Sequence, residues 1–146
     1  MKLLFPFLCA ALVLNAAGCG GKTPTDPSQV TNVPYSQTDL IVGSGKVAAV
    51  GNTVSTNYTL WLYNAAGTDS KGVQIDTSVG KTPFNLVLGS GSAIKGFDQG
   101  VVGMAVGGKR RMIIPPSLAY GATGGGGGQI PPNANLVFEV DLLSVT

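Results

Sequence analysis

The chain has 146 residues, with 9 Lys plus Arg against 7 Asp plus Glu, no His, and two Cys, at positions 9 and 19. One modest domain fits that length. Without His there is no Ser-His or Cys-His nucleophile pair, no imidazole general base and no His-ligated zinc site. Beyond Cys19 there is neither Cys nor His, so thiol catalysis, disulfides and Cys-ligated clusters are also excluded there. A formal charge of +2 argues against nucleic acid as a partner, because phosphate neutralisation needs clustered Lys and Arg. The one tight basic cluster, Lys109-Arg110-Arg111, is expected to be a solvated strand end.

The N-terminus has the order of an export signal: Lys2, an apolar run from Leu3 to Leu14 interrupted by Pro6, then Ala16-Ala17-Gly18 before Cys19. The run is too short to span a bilayer. Its end resembles a bacterial lipobox, with Ala16 where Leu is usual, which implies cleavage before Cys19 and a lipid anchor on that residue. Several acyl chains, each CH2 contributing about 0.8 kcal/mol, would hold the membrane stably where one chain is marginal. A soluble exported protein cut near Ala17 is the alternative. Residues 1–18 are therefore taken as the signal and 19–35, rich in Gly, Pro, Ser and Thr, as a solvated tether. The folded domain is placed at 36–146, in the cell envelope and facing the periplasm.

From Tyr35 the pattern is mainly strand. Thr38-Leu40-Val42 alternates, Gly43-Ser44-Gly45 turns, Thr53 to Tyr63 is rich in β-branched and aromatic residues, and Phe84-Leu86-Leu88 alternates again. The segment Asn64 to Gln74 reads as a polar hairpin-like connection. Ser92 to Val102 is the one plausible helix, with Ser92 as cap and Ile94, Phe97, Val101 and Met104 at three- to four-residue spacing. Gly96 and Gly100 lower its propensity, so packing must stabilise it. Lys109 to Ile114 and Leu136 to Val145 complete the strands, the last with Leu136, Phe138, Val140 and Leu142 on one face. The expected architecture is α+β, one antiparallel sheet wrapped on one short helix.

Five stretches in this order resemble the FKBP family of peptidyl-prolyl cis-trans isomerases: VSTNYTLWL around Tyr58, IDTS at 75–78, PFNLVLGSGSAIKGFDQGVVGM at 83–104, IPPSLAYGA at 114–122 and IPPNANLVFEVDLL at 130–143. The resemblance runs from about Gln37 to Val145. It implies a five- to six-stranded half-barrel around the helix, with a shallow apolar pocket for a prolyl ring. It assigns Tyr58, Asp76, Phe97 and Tyr120 to the catalytic group. It places Ile75, Phe84, Leu86, Ala93, Ile94, Ile130 and Phe138 around the substrate.

Each of these residues also has a bland alternative. Phe97, Tyr58, Phe84 and Phe138 could be ordinary core. Asp76 could be a turn residue capping Thr77-Ser78. Tyr120 could satisfy a nearby backbone group. Ile94, at the first helical turn, has an N–H without an internal acceptor. Ile75 and Leu86 stand where relatives often carry aromatics and Phe97 where Trp is common, while Gly124 to Gly128 is expected to be mobile and to contribute little to binding.

The implied reaction suits a chain poor in acids, bases and nucleophiles, because isomerisation breaks no covalent bond. No cofactor and no metal are expected, because no residue cluster supplies metal geometry or dinucleotide phosphate contacts, while the resemblance implies proline-containing polypeptides as partners and macrolide inhibitors of the family as plausible ligands. A monomer is the default, since neither a chaperone flap nor a dimerisation segment is present. Two other classes are open to the same residues: a binding module that grips a Pro-containing loop of one partner with vestigial turnover, and a structural lipoprotein that merely keeps the fold.

Overall fold

The computed structural model describes residues 32–146. The expected signal, most of the tether and Cys19 lie outside the described residues.

Six strands form one antiparallel sheet: β1 Ser36–Ile41, β2 Thr53–Tyr63, β3 Lys71–Thr77, β4 Phe84–Val87, β5 Lys109–Ile114 and β6 Leu136–Val145. Their order is β1-β5-β6-β2-β3, with β4 pairing the first part of β2 on the same edge that β3 occupies further along. The β2–β6 ladder, from Val54↔Val145 to Leu62↔Leu136, is the spine. It exists because the inward positions of β2 and β6 carry no charge while Glu139 and Asp141 fall on the opposite face, so one face of each strand can be buried without burying charge. Val54, Leu60, Phe138, Val140 and Leu142 turn to the concave face and are nearly inaccessible.

The helix α1, Lys95–Val101, lies across this concave face and buries Gly96, Phe97, Gly100 and Val101. It is shorter than the expected 92–102. Ser92 does not cap it: Ser92 Oγ pairs with Ser90 Oγ at 2.7 Å in the preceding turn, and Ile94, in extended conformation, is the N-cap without a side-chain bond. The two helix glycines, expected only to weaken α1, form its contact with β5. A β-carbon on Gly96 would lie 2.3 Å from Ile114 Cγ2, and one on Gly100 would meet Met112 Sδ and the Tyr35 hydroxyl. Close approach of helix and sheet therefore requires both residues to lack a side chain.

Arg110 closes the other end of α1. Its Nη1 donates to the carbonyls of Gly100 (2.8 Å) and Val102 (3.3 Å), while Nε and Nη2 hold both oxygens of Asp39 on β1 at 2.5 and 3.1 Å. A helix C-terminus leaves carbonyls unpaired, and a guanidinium fork satisfies them while its charge suits the dipole. The basic cluster is thus not a solvated strand end. Arg110 is buried, Arg111 pairs with Glu139 (3.0 Å) and Asp69 (2.8 Å), and Lys109 pairs with Asp141 (3.4 Å). Each cation finds a carboxylate on a neighbouring element.

The expected polar connection 64–74 is also divided differently. A turn at 68–70 leads into β3 at Lys71, whose ammonium lies 2.6 Å from Glu139 and 4.5 Å from the centre of the Trp61 ring. Those two contacts draw residues 71–74 onto the sheet despite their polarity. Among the described residues, no helix is long and apolar enough to cross a membrane.

Candidate active site

Where α1 leaves part of the concave face uncovered, β2, β3, β4, β6 and the segment before α1 enclose a cavity of about 510 Å³. Phe97 projects from the buried side of α1 and meets Tyr58, Phe84 and Phe138 with ring centroids 6.3, 5.9 and 5.5 Å away at steep angles. Edge-to-face contacts of this kind lock four rings from four different elements. The sequence places them so because Tyr58 and Phe138 fall at inward positions of β2 and β6, while Phe84 opens β4 opposite Thr56.

Asp76 stands at the rim on β3. Its Oδ2 accepts the Tyr58 hydroxyl at 2.6 Å and its Oδ1 accepts the Thr77 N–H at 2.7 Å, so the bond expected of a pocket residue and the bond expected of a turn residue are both made. Lys81 lies 3.6 Å from the same carboxylate. The Tyr58 hydrogen bond, aided by Thr77 and Lys81 and opposed by partial burial, holds the Asp76 carboxyl below the usual carboxylate range. Burial, followed by the Asp76 bond and charge and then Tyr120, pushes the Tyr58 phenol up to about 12. The pair is therefore a neutral phenol donating to a carboxylate throughout the neutral range.

At the mouth, the Ile94 N–H finds no acceptor among the described residues: Ile94 is the N-cap of α1, so no preceding helical turn offers it a carbonyl. Tyr120 follows the short turn 116–118 and stands 38% exposed at the edge of the cavity.

Of the eleven pocket residues expected, Tyr58, Asp76, Phe84, Ala93, Ile94, Phe97, Tyr120 and Phe138 line the cavity. Ile75, Leu86 and Ile130 do not. Ile75 is the extra residue where Leu60↔Asp76 is followed by Trp61↔Gln74, and this bulge sets it against the core margin beside the cavity. Leu86 shares a face with Phe84 but pairs with Val54, deeper in the core, and is 4% exposed. Ile130 is buried beneath the glycine loop, bonded through its backbone to Gly125. Leu60, Gly91 and Ser92 line the cavity without having been expected. Leu60 was within reach of the pattern, being two residues from Tyr58 on the same strand face. No group of three His, Cys, Asp or Glu among the described residues is placed to hold a metal ion.

An antiparallel half-barrel over one short helix, with an aromatic-walled pocket between them, defines the class. Residues 45–143 match the family described as FKBP-type peptidyl-prolyl cis-trans isomerase. An FK506-binding protein of Neisseria meningitidis is 45% identical over 108 residues, covering 73% of this chain and 92% of that protein. FK506-binding protein 2 of Dictyostelium discoideum is 40% identical over 146 residues, 99% of each chain. Peptidyl-prolyl cis-trans isomerase FKBP53 of Arabidopsis thaliana is 45% identical over 130 residues, but the chain spans only 26% of its length. Among solved structures, AtFKBP13 superposes with a TM-score of 0.64 at 32% identity, over 77% of this chain and 93% of that one. FkpA from Escherichia coli gives 0.63 at 35% identity, over 77% of this chain and 48% of that one. The chain belongs to the FKBP-type peptidyl-prolyl cis-trans isomerase family.

Proposed function

We propose that this isomerase is held at a bacterial cell envelope by a lipid on Cys19 and turns X-Pro bonds in unfolded or exposed segments of envelope proteins. The observation that carries the catalytic reading is the cavity itself: four interlocked rings, a neutral Tyr58 phenol bonded to the Asp76 carboxylate, and one unpaired backbone donor at the mouth.

Amide resonance sets a barrier of about 18–20 kcal/mol. The twisted amide is less polar than the planar one, so moving the bond out of water into an apolar site favours the twisted state. Raising a rate from about 0.01 per second to about 100–1,000 per second takes roughly 5–7 kcal/mol of preferential binding of that state. In this reading the prolyl ring packs on Phe97 between Tyr58, Phe84 and Phe138. The Ile94 N–H and the Tyr120 hydroxyl donate to substrate carbonyls, and Asp76 fixes Tyr58 without exchanging a proton. Ligands of the FK506 class, which several relatives are named for binding, would enter the same cavity. The chain would act as a monomer.

Refolding of a proline-limited protein should accelerate in proportion to added isomerase, and Phe97→Leu should remove most of the effect. No acceleration from folded protein would defeat the reading. The anchor is checked separately, by labelled palmitate entering the wild type but not Cys19→Ser.

A further inference from the structure

The glycine run after Tyr120 is not uniform. Gly124 has φ +71, and a β-carbon there would lie 2.4 Å from the Ile130 carbonyl oxygen, so this residue is glycine on two counts. At Gly127 and Gly128 a β-carbon would meet nothing within 4 Å. Gly125 differs from all of these. Its backbone, φ −168 and ψ −164, is extended and open to any residue. Yet a β-carbon on it would lie 2.5 Å from Cδ1, 2.8 Å from Cε1 and 3.0 Å from Cγ of the Tyr120 ring.

The geometry points to Gly125 as a positioning residue for catalysis, whose bare α-carbon is the seat that holds the Tyr120 ring at the pocket rim. This inference rests on the proposed role of Tyr120 at the site. The seat cannot retreat from an added methyl group. Gly125 N–H donates to Ile130 O at 3.0 Å and Ile130 N–H returns the bond to Gly125 O at 3.1 Å, while the Ile130 side chain is 3% exposed. Ile130 therefore acts on the site through this two-bond bridge rather than by lining the cavity. The ring, by contrast, is partly exposed, and its hydroxyl has no hydrogen-bond partner among the described residues, so a side chain at 125 displaces the ring and leaves the loop in place. The expectation that the whole run contributes little fails at this one position.

The test is Gly125→Ala in two backgrounds, the full chain and Tyr120→Ala, read by kcat/KM on a blocked X-Pro peptide and by NMR of the labelled Tyr120 ring. In the full chain the substitution should shift the ring resonances and lower kcat/KM to within about threefold of Tyr120→Ala. In Tyr120→Ala, where the ring is gone, it should change kcat/KM by less than twofold. A merely structural role for Gly125 would lower both backgrounds alike, and that result overturns the inference, as does an unmoved ring. Tyr120→Ala with undiminished turnover would instead remove Tyr120 from the site, and the catalytic role of Gly125 with it. An inactive parent chain would defeat the isomerase reading, and the ring shift alone would then decide whether Gly125 seats Tyr120.

Discussion

Asp76 makes the two hydrogen bonds that its two readings call for. Its two oxygens divide the work, one on the Thr77 N–H that shapes the end of β3 and one on the Tyr58 hydroxyl that faces the pocket. Removing the hydroxyl separates the two. Tyr58→Phe should leave the ring contacts and the fold intact and lower kcat/KM by about 5- to 30-fold, the equivalent of about 1–2 kcal/mol, the low end for a bond to a charged group because this one is open to solvent. The Asp76 carboxyl should move up toward the ordinary carboxylate value, because the Tyr58 bond is the largest cause of its depression. Full activity together with an unmoved Asp76 titration would show that the pair does nothing for turnover.

The elements β2, β5 and β6 were legible to the residue: β2 is rich in β-branched and aromatic residues, β6 places Leu136, Phe138, Val140 and Leu142 on one face, and β5 runs between Gly107-Gly108 and Pro115-Pro116, which stop a strand at both ends. Helix α1 was placed but not bounded. Its cap is a backbone turn rather than Ser92, and its C-terminus is closed by Arg110 on β5, the next strand, a contact that the apolar spacing within the helix does not encode. The glycines of α1 make the same point with the opposite sign from propensity. Gly96→Ala should gain about 1 kcal/mol in a free helix. Here its β-carbon meets Ile114, a fully buried branched side chain, and overpacking of about 1–3 kcal/mol should win. Thermal denaturation should show Tm falling by several degrees. A rise in Tm would mean that α1 can lift off β5 without cost.

For the molecule as a whole, the pocket is assembled from residues between positions 58 and 138. Its membership became legible only through the ordered set of family motifs, since each aromatic taken alone is indistinguishable from core. The three expected residues that fall outside it were hidden by a bulge at Ile75, by depth at Leu86 and by a loop bridge at Ile130, none of which leaves a mark in the alternation of residues. What the assembled site lacks is a group that exchanges protons near neutrality: the chain has no His, Tyr58 is pushed up to about 12, and Asp76 is held below its usual range. Asp39, Asp76 and Glu139 are all depressed. Asp39 is held down chiefly by its Arg110 bond and Asp76 chiefly by Tyr58, while for Glu139 burial, the largest single effect, pushes up and is outweighed by the combined bonds and charges of Lys71 and Arg111. Their contribution to stability is therefore present above the ordinary carboxylate values near 4 and is lost as pH falls through the folded values. Between about pH 5 and 9 the fold and the site should both be constant. The decisive measurement is kcat/KM for cis-to-trans isomerisation of a blocked X-Pro peptide across that interval. Catalysis by desolvation of a twisting amide predicts a flat profile at high activity, whereas a bell or a step within the interval would show a proton in flight and contradict it.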